Sequence, residues 1–275
     1  MAATELTWSG SLHQTFRLLP HDKQSGNLRP FLEADGLAPT DLLEKLPYDR
    51  ARAKDQTKDA PDAKRYRDGK QVYQTVGLLY EDDGKVHVTD LGVATRRWLD
   101  IVTPKNRVIL ARHAAYALAA CQLRNPTGAG KKYAETVEVF PFAFIWRAML
   151  ALDGRINSDE LNRGLFKVRN ADQLQECIVS IRRARERKDL SILGDETIPD
   201  ERAKNDRIIP WVSLASFGWT LFPDKGSDNY YQLDAATLSV VREASRIKHT
   251  HKEFASVRDY IEHVSRCAAL PKDLR

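Results

Sequence analysis

LLYEDDGKVHVTD, residues 78–90, is the stretch on which the fold turns. Its two β-prone runs, 78–81 and 85–89, flank Asp82-Asp83-Gly84, and Asp-Gly between such runs is the strongest short-range hairpin signal, because the turn demands positive φ. Just before it, from residue 60, Ala63, Tyr66, Tyr73 and Val76 fall on one side of a helical period and Lys64, Arg67, Gln71 and Gln74 on the other. Gly77 is placed to end that helix. Just after it, Thr89 or Asp90 can cap a helix over 91–99, and Thr103-Pro104 can start another running to about residue 123. Two short helices, 28–34 and 40–46, lie further upstream, the second introduced by Pro39 and Thr40 as turn and cap; a polar stretch, 50–59, follows them without any apolar period.

The order helix then hairpin returns later in the chain. Residues 125–132, NPTGAGKK, read as a linker. Phe140, Phe144, Met149 and Leu152 then give an apolar helix that stops at Gly154. Asn157 with Glu160 makes a capping pair for the next helix, and Asn170 with Gln173 repeats that signal for a helix whose stripe is Leu174, Cys177, Ile178, Ile181 and Ala184. In that helix Arg182, Arg183, Arg185 and Arg187 fall mostly outside the stripe. A polar loop, 194–206, leads to a short helix over 210–217, a strand over 219–222, a turn over 223–228, a strand over 229–233 and a helix from about residue 235. The expected fold class is mainly α with small β-hairpins, organised as two winged helix-turn-helix domains. Residues 1–124 form the first, 125–135 the linker and 136–250 the second; 251–275 hold a C-terminal helix over 256–268 that serves as a brace or as a contact for another molecule.

The chain has 275 residues and a mass of 31.2 kDa, enough for two domains, and 42% hydrophobic with 29% charged residues excludes membrane, collagen-like and wholly disordered classes. The first residues have neither a basic nor an apolar targeting region, so a cytoplasmic location is the expectation. Cys121, Cys177 and Cys267 are far apart and never arranged as CxxC, so they read as ordinary buried thiols rather than disulfides or zinc ligands. His249 and His251 read as a solvated helix end, and no metal is assigned. No GxxxxGK[ST], GxGxxG or GxSxG is present, so nucleotide and serine-hydrolase chemistry lack their motifs.

The net charge of +5 says less than its distribution. Arg96, Arg97, Lys105, Arg107, Arg112, Arg124, Lys131 and Lys132 face only Asp100 between 96 and 132, and a second block runs from Arg163 through Arg182 and Arg183 to Lys188. A solvated helix face is the commoner meaning of one such run. Blocks of this kind are also what phosphate neutralisation requires. A winged helix places the helix before its hairpin in the major groove, where Arg suits guanine and Gln suits adenine. Candidate DNA contacts are Lys64, Arg65, Arg67, Lys70, Gln71 and Gln74 on that helix, Lys85 with His87 on the wing, and Arg96, Arg97, Lys131, Lys132, Arg182 and Arg183 on the basic stretches. The second unit offers Arg202, Lys204, Asn205 and Arg207 just before its short helix and Lys225 at its hairpin tip; Pro210 makes this second element short or loop-borne.

The order of residues 77–99 (GLLYEDDGKVHVTDLGVATRRWL), 139–168 (VFPFAFIWRAMLALDGRINSDELNRGLFKV), 172–188 (DQLQECIVSIRRARERK) and 208–234 (IIPWVSLASFGWTLFPDKGSDNYYQLD) resembles the N-terminal recognition region of type IIS restriction endonucleases and their nicking relatives. The resemblance covers roughly residues 60 to 245 and implies tandem winged domains that bind an asymmetric duplex sequence while a separate PD-(D/E)xK nuclease cuts nearby. It implies Lys64, Arg67, Gln71, Arg202, Lys204 and Arg207 as DNA contacts. The chain departs from the family in lacking that nuclease domain, so no cofactor is assigned and Mg2+ would belong to the associated nuclease. Asp62 with Asp83 and Lys85 formally matches PD…DxK, but a hairpin turn and a helix start are the wrong context for carboxylates that must share a sheet. The expectation is sequence-specific double-stranded DNA binding by a chain that is not itself catalytic. A small metal-dependent nuclease, and a winged regulator or assembly module acting through the C-terminal helix, are the alternatives.

Overall fold

The computed structural model describes residue 8 and residues 28–46, 63–101, 107–127, 133–196, 208, 210–216, 218–224 and 229–270. The fold is mainly helical with small antiparallel sheets. In the first half come α1 (Leu28–Leu32), α2 (Pro39–Lys45), α3 (Ala63–Thr75), β1 (Leu79–Asp82), β2 (Lys85–Val88), α4 (Asp90–Ile101) and α5 (Arg107–Ala120). In the second come α6 (Pro141–Ala151), β3 (Arg155–Asn157), α7 (Ser158–Arg163), α8 (Ala171–Arg187), α9 (helical residues 210–216), β4 (Leu221–Pro223), β5 (Tyr230–Leu233), α10 (Leu238–Arg246) and α11 (Val257–Cys267).

The hairpin forms where the local sequence demands it. β1 pairs with β2 in the register Leu79↔Val88 to Asp82↔Lys85, and Asp83 and Gly84 between them hold φ of +49° and +71°. Both central turn residues in the left-handed region define the tight turn that matches strand twist. Gly77 ends α3 at φ +80°, and its missing side chain is also a matter of space: a Cβ there would lie 2.7 Å from Val264 Cγ1 on α11. Thr89 caps α4, accepting from Gly92 N–H at 3.1 Å while donating to Gly77 O at 2.7 Å. For α2 the expectation changes: Pro39 opens the helix, Ala38 precedes it, and no side chain caps it. Proline suits this position because its absent N–H would have had no helical partner.

A short bridge that the sequence did not signal completes the first sheet. Gly36 N–H donates to Val86 O at 2.8 Å and Val86 N–H donates to Leu37 O at 2.9 Å, so residues 36–37 run along the free edge of β2. The same layout recurs in the second half, where β3 pairs with β5 and β5 with β4. β3 was not anticipated, because three residues beside a capping box carry no alternating pattern of their own. The strand expected over 219–222 begins only at Leu221, since Trp219 sits at φ +57° and bends the chain into the sheet. In order, then, each half runs helix, edge strand, helices, hairpin, with α2 and α3 before the first hairpin and α7, α8 and α9 before the second.

Both capping pairs form. Asn157 and Glu160 make a reciprocal box, with Glu160 N–H donating to Asn157 Oδ1 at 2.7 Å and Asn157 N–H donating to Glu160 Oε2 at 2.9 Å. Asn170 accepts from Gln173 N–H at 3.0 Å at the start of α8.

The buried apolar residues make one continuous cluster that reaches from Trp8 to Leu270. α5 is its axis: alanine-rich and buried on nearly every side, it packs against α6, α10 and α11. Trp8 is buried in the second half, stacked 5.3 Å from Phe166 and donating to Val168 O at 2.8 Å, while its carbonyl accepts from Trp211 Nε1 at 2.8 Å. α11 closes on the first half instead. Tyr260 OH donates to Thr75 O at 3.1 Å and Ser265 Oγ accepts from Leu91 N–H at 3.2 Å.

His249 and His251 are not a solvated helix end. They lie in a strap after α10 that Lys252 pins to Gln122 by hydrogen bonds of 2.7 and 3.0 Å, and the His251 side chain is only 6% exposed.

Candidate nucleic-acid interface

In the first half, the face of α3 opposite its core residues carries Arg67, Gln71 and Gln74 at helical spacing. Arg67 is exposed and forms no ion pair among the described residues, whereas Gln71 and Gln74 are half-buried. Lys70 has a different role. Its Nζ lies 2.8 Å from Glu81 Oε2, and Tyr66 OH donates to the other carboxylate oxygen, so the trio ties α3 to β1. Partial burial lowers the Lys70 pKa and raises that of Glu81, the cost of holding both charges between helix and wing. Lys64 and Arg65 belong to the same helix, but their side chains lie outside the described residues.

On the wing Lys85 is exposed beside the turn, and His87 stacks on Tyr80 with centroids 5.1 Å apart. Asp82 is tied to Arg258 of α11 at 2.9 Å, which fixes the hairpin against the body. Asp83 stands exposed in the turn at positive φ. On α4, Arg97 is exposed and Arg96 half-buried. Among the described residues no group of three or more His, Cys, Asp and Glu could hold a metal ion.

In the second half the arginines of α8 divide by function. Arg185 turns inward and grips Glu160 through two hydrogen bonds of 2.7 and 2.9 Å, while donating to the carbonyls of Leu152 and Arg155. The spacing places it outside the apolar stripe, and so it is, but as a half-buried clamp on the buried Glu160 rather than a free solvated charge. Arg182 donates through Nε and Nη2 to Ala151 O, at 3.3 and 2.7 Å, and so caps the end of α6. Arg183 and Arg187 are exposed and form no ion pair among the described residues. Arg202, Lys204, Asn205, Arg207, Lys225, Lys131 and Lys132 lie outside the described residues.

The helix directly before the second hairpin, α9, is a core element, with Trp211, Val212, Leu214 and Ala215 all buried. It has no polar face to lay in a groove. An open basic cavity of about 480 Å³ lies between the ends of α6 and α10, with Arg147, Arg242, Arg246 and Lys248 as its charged lining. Its signal in the sequence is faint, since Arg147 stands alone in an apolar helix and the others are spread over seven positions.

No protein-family model matches the chain, and no curated protein matches it in sequence. In three dimensions it is similar to the binding domain of the BpuJ1 endonuclease, whose crystal structure holds pyrene- and phenanthrene-modified DNA. The TM-score is 0.58 at 12% identity, and the match covers 89% of this chain and 92% of that one. The two therefore share a fold over nearly their whole lengths. No helix among the described residues is long and apolar enough to cross a membrane.

Proposed function

We propose that this chain binds double-stranded DNA in a sequence-specific manner through two winged helix-turn-helix units, as the recognition domain or subunit of a restriction endonuclease or nicking and defence system. The observation that carries the reading is the end-to-end likeness of fold to an endonuclease binding domain solved on DNA. The repeated order of helix, edge strand, helices and hairpin supports the winged-helix assignment, with residues 1–124 and 136–250 as the units and 125–135 between them. Exposed cations that form no ion pair among the described residues, Arg67, Arg97, Arg183 and Arg187, support a polyanionic partner.

In this reading α3 enters the major groove and offers Arg67, Gln71 and Gln74 to base edges, with Lys64 and Arg65 near its start. Lys85, Arg96, Arg97 and Arg183 hold phosphates and set the register. The buried α9 leaves base reading in the second unit to the segment 202–207 and the wing at Lys225. Cleavage, and the Mg2+ it requires, belong to a partner nuclease domain or subunit. The test is selection from a pool of random duplexes at ~150 mM salt, where non-specific attraction is suppressed. A short asymmetric motif among the bound sequences is the expected result. Absence of enrichment, with the protein folded, would overturn the reading.

A further inference from the structure

Arg147 is a half-buried arginine without a carboxylate partner among the described residues. Most other partly buried arginines have one: Arg107 lies 2.7 Å from Asp234, Arg163 2.8 Å from Glu196, Arg185 2.7 Å from Glu160, and Arg124 pairs with Glu253, while Arg96 alone shares the lack among the described residues. Arg147 donates instead to two carbonyls at the end of α10, from Nε to Ser245 O at 2.6 Å and from Nη2 to Ile247 O at 3.0 Å. A guanidinium has five N–H donors, so its Nη1 end remains uncommitted among the described residues. Burial lowers its pKa with no counter-charge to offset the loss of water.

The space beside it is the cavity of about 480 Å³, lined also by Arg242, Arg246 and Lys248 and by no carboxylate. Helix ends attract cations, and that accounts for Arg147 on the carbonyls of α10 and for Arg182 on Ala151 O. It accounts for Arg246 in the last turn of α10 as well, but not for Arg242 one turn earlier, and Arg242, Arg246 and Lys248 are exposed and form no ion pair among the described residues. Arg242 and Arg246 stand four apart on one helix, where like charges repel. Concentrated positive charge around a guanidinium with an uncommitted end favours an anion beside it.

We infer that this cavity is a phosphate site whose occupant is a backbone phosphodiester of the bound duplex. Ala151 links it to the basic row of α8, because it is a wall of the cavity and also the acceptor of Arg182, next to the exposed Arg183. A line of cations running from α10 to α8 suits a chain of phosphates better than one isolated ion. The inference rests on the DNA-binding reading and adds phosphate contacts beside the ends of α6 and α10.

The double variant Arg246→Ala/Lys248→Ala tests it, with Arg266→Ala on α11 as a control for loss of an exposed cation elsewhere, because these side chains are exposed and their loss leaves the fold intact. On a random-sequence duplex the double variant is expected to bind about tenfold more weakly and to lower the salt slope by about 0.9 per lost phosphate contact, while Arg266→Ala does neither. In parallel, inorganic phosphate titrated at constant ionic strength is expected to shift the Arg147 Nε–Hε resonance of the wild type and not that of the double variant. Duplex binding with unchanged affinity and slope in the double variant would overturn the inference and leave DNA binding standing. Failure of the wild type to bind duplex would overturn the DNA-binding reading and the duplex as occupant; a phosphate-induced shift would then still assign the cavity to a free phosphate, and its absence would end the site altogether.

Discussion

Arg67 and Arg183 are both exposed arginines, yet they stand on different surfaces and should fail differently. Arg67 lies on the free face of α3, where a guanidinium can meet guanine edges. Arg67→Ala is expected to relax specificity at one position of the selected site, by about 1–3 kcal/mol. Arg183→Ala is expected to weaken all sequences alike and to reduce the salt slope by about 0.9. Equal losses across all sequences for Arg67→Ala, measured by competition binding, would contradict the base-reading role. Arg185 belongs to neither class. Its partner Glu160 has a side chain only 1% exposed and also closes the capping box of α7, so Arg185→Met strands a buried carboxylate. A loss of about 2–3 kcal/mol in urea unfolding is expected, discounted from a fully buried pair because Arg185 keeps some contact with water.

Elements differ in how much of their formation is local. The hairpin is local: Asp83 and Gly84 supply the positive φ, and nothing lies within 4 Å of a Cβ placed on Gly84. Gly84→Ala therefore suffers only the left-handed backbone penalty, and a loss of about 1 kcal/mol is the expected result of thermal or urea unfolding. A loss several times larger would mean that the turn is packed against something other than solvent. The capping boxes and the end of α3 at Gly77 were legible for the same reason, since each involves residues within one turn of one another. The burial of α9 was not legible. Residues 210–216 have helical character and precede a hairpin, as α3 does, but burial on nearly every side comes from Trp8, α6 and the surrounding core. Likewise β3 exists because β5 pairs with it from more than seventy positions away.

At the scale of the whole molecule, the strap through His249 and His251 and the helix α11 bind the two halves together. His249, His251 and His263 all have lowered pKa values, first through burial and then through neighbouring positive groups: His263, Arg147 and Lys252 for His249, Arg124 for His251, Lys252 and Arg266 for His263. His113, stacked 4.7 Å from Trp98, is lowered as well, again chiefly by burial. A base whose folded pKa is depressed binds protons more readily when unfolded. Stability is accordingly full above the ordinary histidine value of 6.5 and falls as the pH drops below it. The urea midpoint is expected to be lower at about pH 5.5 than at about pH 7.5, and His249→Phe should recover part of the difference. A midpoint independent of pH in that window would show that the strap opens to water before the body unfolds.

Hydrophobic period, turn chemistry and caps act over one turn or one hairpin, and through them the sequence by itself determined the mainly helical class, the two hairpins, most helix positions and the polar face of α3. Burial and charge pairing depend on what arrives from elsewhere in the chain. Only the tertiary structure decided that α9 is core, that Lys70 and Arg185 are clamps while Arg67 and Arg183 remain exposed, and that Arg147 was left beside a basic cavity without a carboxylate to balance it.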